Sequence, residues 1–143
     1  MTHKGSVFRD LMIIETAIKT GMRRAKLANL LVRHINFGSG SLTVVGKQYQ
    51  TDTGPMDILC ISKDGKTLLV VELKKGRASD MVVGQTLRYM GYVSDELAEP
   101  NQQVKGLIIA LSDDKRLRRA LGPLNGSIKF YRYEIDFKLK QVV

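Results

Sequence analysis

Asp57, Glu72 and Lys74 are the residues of this chain whose types and spacing could do chemistry. They stand on two apolar arms, Gly54-Pro55-Met56-Asp57-Ile58-Leu59-Cys60-Ile61 and Leu68-Leu69-Val70-Val71-Glu72-Leu73-Lys74, separated by Asp64-Gly65. The arms are short and rich in Ile, Val and Leu. Asp-Gly is the pair that a two-residue type I′ loop favours, because both of its central residues need positive φ. The stretch therefore predicts a β-hairpin. With Asp64 and Gly65 as its loop, Lys63 faces Lys66, and counting outward puts Asp57 directly opposite Glu72.

Directly opposed side chains have Cβ atoms about 4.5–5.5 Å apart, and two like charges there destabilise a sheet unless something intervenes. A divalent cation is such an intervener. Side chains alternate along a strand, so Lys74 projects on the same face as Glu72, and Leu73 on the other. Hard cations such as Mg²⁺ take oxygen ligands, commonly one or two carboxylates completed by waters and a substrate phosphate. Two carboxylates and an amine converging in this way point to phosphodiester hydrolysis. The plainer reading is a solvated or ordinary cross-strand ion pair. Against it, Glu72 and Lys74 interrupt the apolar run that starts at Leu68, where a charge is costly unless paired or metal-bound. The register is the sensitive step, since a one-residue slip sends Asp57 to the opposite face.

The elements that must position these groups can be read along the chain. At 143 residues the length predicts one domain over 1–143 with a substantial core. Ser6 can cap a helix with Val7, Phe8, Leu11, Met12 and Ile18 at helical spacing and Gly21 as its stop. Arg23, Arg24 and Lys26 introduce a second helix, with Leu27, Leu30, Leu31 and Ile35 on one stripe and Gly38 as its stop. Basic residues at a helix N-terminus oppose the macrodipole, so they serve either solubility or phosphate contact. Gly38 to Ser41 is a short turn, Leu42 to Gln50 a first strand, and Thr51 to Pro55 a polar turn before the hairpin.

After a basic turn at Lys75, Gly76 and Arg77, Ser79 is a good N-cap for a helix over Asp80 to Leu97, with Val83, Leu87, Met90 and Leu97 as its core side. Gln85 and Tyr89, four residues apart, share a face of that helix, with Arg88 close by and Tyr92 a turn further on. That face is either a wet side with half-buried tyrosines or part of the site, since the helix starts a few residues after Lys74. Val104 to Leu111 reads as a buried strand placed after a crossover helix. Asp113 to Leu121 reads as a basic helix, and Ile128 to Leu139 as an alternating final strand.

The formal charge is +9 and the pI about 9.8. Residues 1–50 carry eight Lys or Arg against Asp10 and Glu15 alone, so the excess is uneven. Such a balance suits a polyanion, nucleic acid first and an anionic membrane surface second. Two histidines, His3 and His34, leave no convincing His-based zinc site or serine triad. The lone Cys60 cannot form an internal disulfide and belongs in the core. No apolar run is long enough to span a membrane, and Met1 to Ser6 has no signal-peptide core, so a cytoplasmic, membrane-free protein is expected.

Gly54-Pro55-Met56-Asp57, Glu72-Leu73-Lys74 and Gln85-Thr86-Leu87-Arg88-Tyr89 together resemble, in order and setting, the signatures of the PD-(D/E)XK nuclease superfamily. The runs Tyr49 to Asp57, Val70 to Asp80 and Val83 to Tyr92 are similar to the catalytic domain of NucS-type endonucleases, over roughly residues 45–137. The resemblance implies an α/β fold with an αβββαβ core, a central mixed sheet of about five strands flanked by helices. It implies an endodeoxyribonuclease with Asp57, Glu72 and the Leu73 carbonyl holding Mg²⁺ or Mn²⁺. Lys74 would orient or help deprotonate the attacking water, Gln85 would stand at the edge of the active site, and Tyr89 would support it. Arg23, Arg24, Lys26, Lys75, Arg77 and Arg88 are the expected DNA contacts. Many superfamily members carry a further acid on the helix before the first strand. Here Ala25 to Ile35 has none, and Glu15 is the nearest candidate. NucS-type proteins also have an additional N-terminal domain, so their substrate preferences do not transfer.

The function expected is metal-dependent cleavage of DNA, in repair, recombination, phage or homing biology, with a homodimer needed to cut both strands together. The alternatives are a nucleic-acid-binding module that kept the fold without turnover, and a basic protein of a membrane or ribosome.

Overall fold

The computed structural model describes residues 42–134 and 138–143. The expected helices and turn before Leu42, with Glu15, Arg23, Arg24 and Lys26, lie outside the described residues. Strands β1 (Leu42–Thr51), β2 (Gly54–Ser62) and β3 (Thr67–Leu73) form an antiparallel meander. Helix α1 (Met81–Glu96) then crosses over to β4 (Gln103–Ala110), parallel to β3. Helix α2 (Lys115–Leu121), a 3₁₀ turn at Gly122–Leu124 and β5 (Ile128–Arg132), parallel to β4, complete a five-stranded mixed sheet in the order β1-β2-β3-β4-β5. The sequence-based strand number and α/β class agree with this sheet.

The hairpin register is the predicted one, with Ile58 opposite Val71, Leu59 opposite Val70, Cys60 opposite Leu69 and Ile61 opposite Leu68. The turn that sets it is not type I′. Only Gly65 has positive φ (72°), and its N–H donates to the Ser62 carbonyl at 2.9 Å. The Asp64 carboxylate accepts from the Ser62 hydroxyl (2.6 Å) and the Lys66 N–H (3.0 Å), while Ser62 Oγ accepts from Thr67 N–H (3.0 Å). This wider connection is centred on the same two residues as a two-residue loop, so the pairing and its parity are unchanged. The turn before β2 is shorter than expected. Thr51 pairs with Gly54, leaving Asp52 and Thr53 between them.

Both faces of the central strands are buried, as a sheet with parallel crossovers demands. Leu68 and Val70 pack with Met56, Leu59, Tyr89 and Val93 on the α1 face, whereas Ile58, Leu69, Val71 and Leu107 are buried facing away from it. Helix α1 sits very close to β4. A Cβ on Gly106 would lie 2.8 Å from Thr86 Cγ2 and 2.9 Å from Met90 Sδ, so the helix can approach only because position 106 has no side chain.

Several local expectations are corrected. The core side of α1 is Val82, Val83, Thr86, Tyr89 and Val93, while Leu87 is exposed. The α1 cap position is Asp80, and no side chain there caps the helix; Ser79 contributes its carbonyl to Val82 N–H instead (3.1 Å). Helix α2 begins at Lys115, after Asp114, whose carboxylate accepts from Leu117 N–H at 2.8 Å. Leu111 lies beyond β4 and is exposed. Strand β5 ends at Arg132; Tyr133 still donates its N–H to the Ala110 carbonyl (3.0 Å) and its hydroxyl to the Lys75 carbonyl, and residues 135–137 of the expected strand lie outside the described residues. Cys60 is buried in the core as expected, and burial pushes its thiol up to about 11, leaving it unreactive.

Candidate functional site

Asp57 and Glu72 meet where the β2–β3 pairing stops, just beyond Ile58 and Val71, and each is bound to the other's strand. Glu72 Oε1 accepts from Asp57 N–H (3.2 Å), and Asp57 Oδ2 accepts from Leu73 N–H (2.9 Å). These reciprocal bonds replace ladder bonds that the backbones do not make here, so the same contacts that end the hairpin aim its carboxylates. Asp57 is half-buried, whereas Glu72 is only 2% exposed. Desolvation, and next the charge of Asp57, push the Glu72 carboxyl up from 4.5 to about 8, with Lys74 acting weakly in the opposite direction. The site is therefore short of positive charge.

Lys74 continues the β3–β4 ladder, its N–H donating to the Ile109 carbonyl at 2.9 Å. Its ammonium donates to Gln85 Oε1 (3.5 Å), and Gln85 Nε2 donates to the Tyr89 hydroxyl (3.3 Å). Tyr89 is buried rather than half-buried, so this chain ends on a fixed anchor. The i, i+4 spacing of Gln85 and Tyr89 aligns them along α1, and the close seat of α1 over Gly106 brings that line to the end of β3. The structure thus brings together Asp57, Glu72, Leu73, Lys74, Gln85 and Tyr89.

The expected DNA contacts divide differently. Lys75 and Arg77 are exposed on the turn after β3, where Tyr133 binds the Lys75 carbonyl and Arg77 bridges to Ser112. Arg88 points instead into a small cleft of about 260 Å³ shared with Asp52, Thr53, Tyr92, Asp95 and Glu96, an acidic setting that works against phosphate contact.

One residue at the site escaped the sequence reading. Gln48 on β1 donates from Nε2 to Asp57 Oδ1 at 3.2 Å, from a backbone with φ of 46°. Left-handed backbone is uncommon for a residue other than glycine and concentrates at functional sites. The signal was present in the chain: counting back from the Asp52–Thr53 turn puts Gln48 opposite Asp57, in step with the pairs Lys47–Ile58 and Tyr49–Met56.

The donors fit a hard divalent cation. Two carboxyl groups share one end of the hairpin, one is buried without enough compensating charge, and the last residue of β3, Leu73, adds a backbone carbonyl beside them. Among the described residues no cluster of three or more His, Cys, Asp or Glu forms. No helix among these residues is long and apolar enough to cross a membrane.

Comparison with known proteins supplies the family. The model of the "Endonuclease NucS C-terminal domain" matches residues 23–134, well over half of the chain. Endonuclease NucS of Parafrankia sp. is 33% identical over 102 residues, covering 68% of this chain and 45% of that protein. Endonuclease NucS of Corynebacterium efficiens is 32% identical over 116 residues, covering 76% and 49%. The crystal structure of a repair endonuclease from Pyrococcus abyssi superposes with a TM-score of 0.61 at 25% identity, over 80% of this chain and 48% of that one. A chain of an EndoMS–dsDNA complex shares the fold, with a TM-score of 0.59 at 23% identity over 78% and 44% of the two chains. The chain spans about half the length of the curated relatives it matches. By the match over residues 23–134, this chain belongs to the NucS C-terminal domain family.

Proposed function

We propose that this chain is a PD-(D/E)XK-type nuclease domain that hydrolyses DNA phosphodiester bonds with a divalent metal, Mg²⁺ or Mn²⁺. The observation that carries the proposal is the convergence of Asp57 and Glu72 on one hairpin end with the Lys74–Gln85–Tyr89 chain beside it. The names of the relatives, all endonucleases or repair endonucleases, support the reaction class. The net charge of +9 supports a polyanionic substrate.

In this reading Asp57, Glu72 and the Leu73 carbonyl hold the cation. Bound there, the cation supplies a Lewis acid for the phosphate and an acidified water. Asp57 is held by Gln48 on one oxygen and by the Leu73 N–H on the other, so its carboxylate plane is set before any ligand arrives. Lys74, its ammonium held by Gln85, orients the attacking water and offsets charge gathering on the phosphate. Gln85 and Tyr89 keep that ammonium from swinging away from the carboxylates. Lys75 and Arg77, exposed next to the site, contact the backbone of the substrate. Two copies of the chain would cut both strands in one encounter.

Cleavage of linear, supercoiled, mismatched and branched DNA by the 143-residue chain and by Glu72→Ala, in Mg²⁺ and in Mn²⁺, tests the proposal. Cutting by the wild type alone is the expected result. Salt-sensitive DNA binding with no cutting of any substrate in either metal would overturn the catalytic reading.

A further inference from the structure

The α1 face of the sheet carries its chemistry in rows. The β2–β3–β4–β5 register puts Asp57, Glu72, Ile108 and Phe130 in one row, since Glu72 pairs with Ile108 and Ile108 with Phe130. Continuing β3 by one residue, as the bond from Lys74 N–H to the Ile109 carbonyl does, the next row is Lys74, Ala110 and Arg132. Between the lysine and the arginine stands only a methyl group. Adjacent strands lie about 4.8 Å apart, so Arg132 departs from the sheet about 10 Å from Lys74.

Arg132 opens into a cleft of about 580 Å³ between α2 and β5, with Arg118 facing it and Phe130 in its wall. Arg118 is bound to Asp113, and Arg132 to Glu134 at 3.4 Å. Both arginine side chains are largely exposed, at 72% and 52%. The Arg132–Glu134 pair is exposed on both sides and is worth little, so it yields readily to a stronger anion; Asp113 is itself only 8% exposed and orients Arg118, whose guanidinium stays open to solvent. The surroundings are basic: residues 113–132 hold six Lys or Arg against two Asp. Of those acids Asp114 is already committed to capping α2. None of this is used by the catalytic cluster, yet it lies at the same end of the sheet, joined to it through Tyr133 and the Arg77–Ser112 bridge.

We infer that the cleft between α2 and β5 seats a backbone phosphate of the nucleic-acid strand, held by Arg118 and Arg132, beside the Asp57–Glu72 centre. Neighbouring phosphates of one strand lie about 7 Å apart through space, twice the axial rise of about 3.4 Å, so an offset of about 10 Å selects a phosphate about one or two nucleotides from the scissile bond. The inference rests on the proposed nuclease reading and adds the footprint of its substrate: the strand runs from Lys74 across Ala110 to Arg132.

The test uses the full chain carrying Asp57→Asn, which separates binding from cutting, and a short duplex titrated over a range of salt. Arg118→Ala with Arg132→Ala is expected to weaken binding about tenfold and to reduce the salt slope by one to two. Lys63→Ala with Lys66→Ala, an equal loss of charge at the hairpin tip at the other end of the sheet, should leave the slope unchanged. Arg118→Lys with Arg132→Lys should restore it. A methylphosphonate about one or two nucleotides from the cut site should weaken the form with both arginines and leave the double-alanine form indifferent. Equal slope changes from the two pairs of substitutions, or a methylphosphonate penalty that survives removal of both arginines, would overturn the inference and leave the nuclease reading standing. Absence of DNA binding by every form would overturn both.

Discussion

The two ends of the β2–β3 hairpin treat a carboxylate in opposite ways. At the tip, Asp64 is exposed and accepts from Ser62 and Lys66, which hold its carboxyl below the usual range. At the open end, Glu72 is buried beside Asp57 and pushed up to about 8. The same side-chain chemistry closes a turn in one place and in the other costs the metal-free protein stability. In the proposed reading the buried, under-compensated Glu72 is kept because it is used. In that reading the difference in burial and pKa direction marks Glu72, and not Asp64, as the site candidate without reference to any relative.

The comparison breaks most directly through activity. Asp57→Ala or Lys74→Ala is expected to lower the cleavage rate by at least about 10²–10⁴-fold with DNA binding largely kept, while Asp64→Ala at the tip leaves the rate unchanged. Single-turnover assays under metal saturation would read both, and equal losses would erase the distinction.

The pH dependence of stability comes next. Because the folded pKa of Glu72 is raised, the native state holds its proton more tightly than the unfolded chain does. Metal-free stability should therefore fall as pH rises from about 4.5 to about 8. Asp64, with its pKa lowered, has the opposite sign: its contribution is present above its unfolded value of 3.8 and is lost as pH falls through the lower folded value. Thermal melts in chelator should show Tm falling by several degrees across the neutral limb. Glu72→Gln should flatten that limb, and Mn²⁺ should raise Tm more at pH 8 than at pH 5.5. A neutral limb unchanged in Glu72→Gln would mean that burial of Glu72 is not what strains the site.

A smaller effect sharpens the link between packing and site. Gly106→Ala pushes α1 off β4 and should cost about 1–3 kcal/mol. It should also lower activity by loosening Gln85 from Lys74, while the tip is untouched. Denaturant melts and rate measurements on one preparation would check both. Gln48→Ala should raise the half-saturating metal concentration about tenfold, by analogy with partners that orient metal ligands. Its rate at saturating metal should stay close to wild type, and a lowered saturated rate with unchanged metal dependence would move Gln48 from orienting Asp57 to a role in the reaction itself.

Much of this was legible in the chain because hairpins are local. Asp64-Gly65 centres the turn whichever connection forms, and strand periodicity then decides which carboxylates face each other. The crossover order strand, helix, buried strand was readable from length and apolar content. The errors have a common cause. Leu87 reads as core and Tyr89 as half-buried because a helix's apolar positions do not say how deep each will sit; the close seat of α1 over Gly106 decides that. The strand at Ile128 reads through to Leu139 because its alternation continues past Arg132, whereas the strand ends with its partner β4 at the Ala110–Arg132 pair. Arg88 groups with the phosphate contacts by charge alone, whereas Asp95 and Glu96 of its own helix and Asp52 from the turn before β2 surround it with acid.

By itself, the sequence determined the hairpin, the register that opposes Asp57 to Glu72, and the identity of the lysine beside them, since these depend on turn chemistry and a two-residue period. Tertiary structure alone decided how deeply Glu72 is buried and hence how strongly it holds its proton. It also decided that Gln85 and Tyr89 reach Lys74, and that Gln48 bends to Asp57. The placing of Arg132 in line with Lys74 belongs there too, because it requires two parallel crossovers to bring distant segments into one row. Desolvation and cross-strand alignment are properties of neighbours separated along the chain, and only the assembled sheet supplies those neighbours.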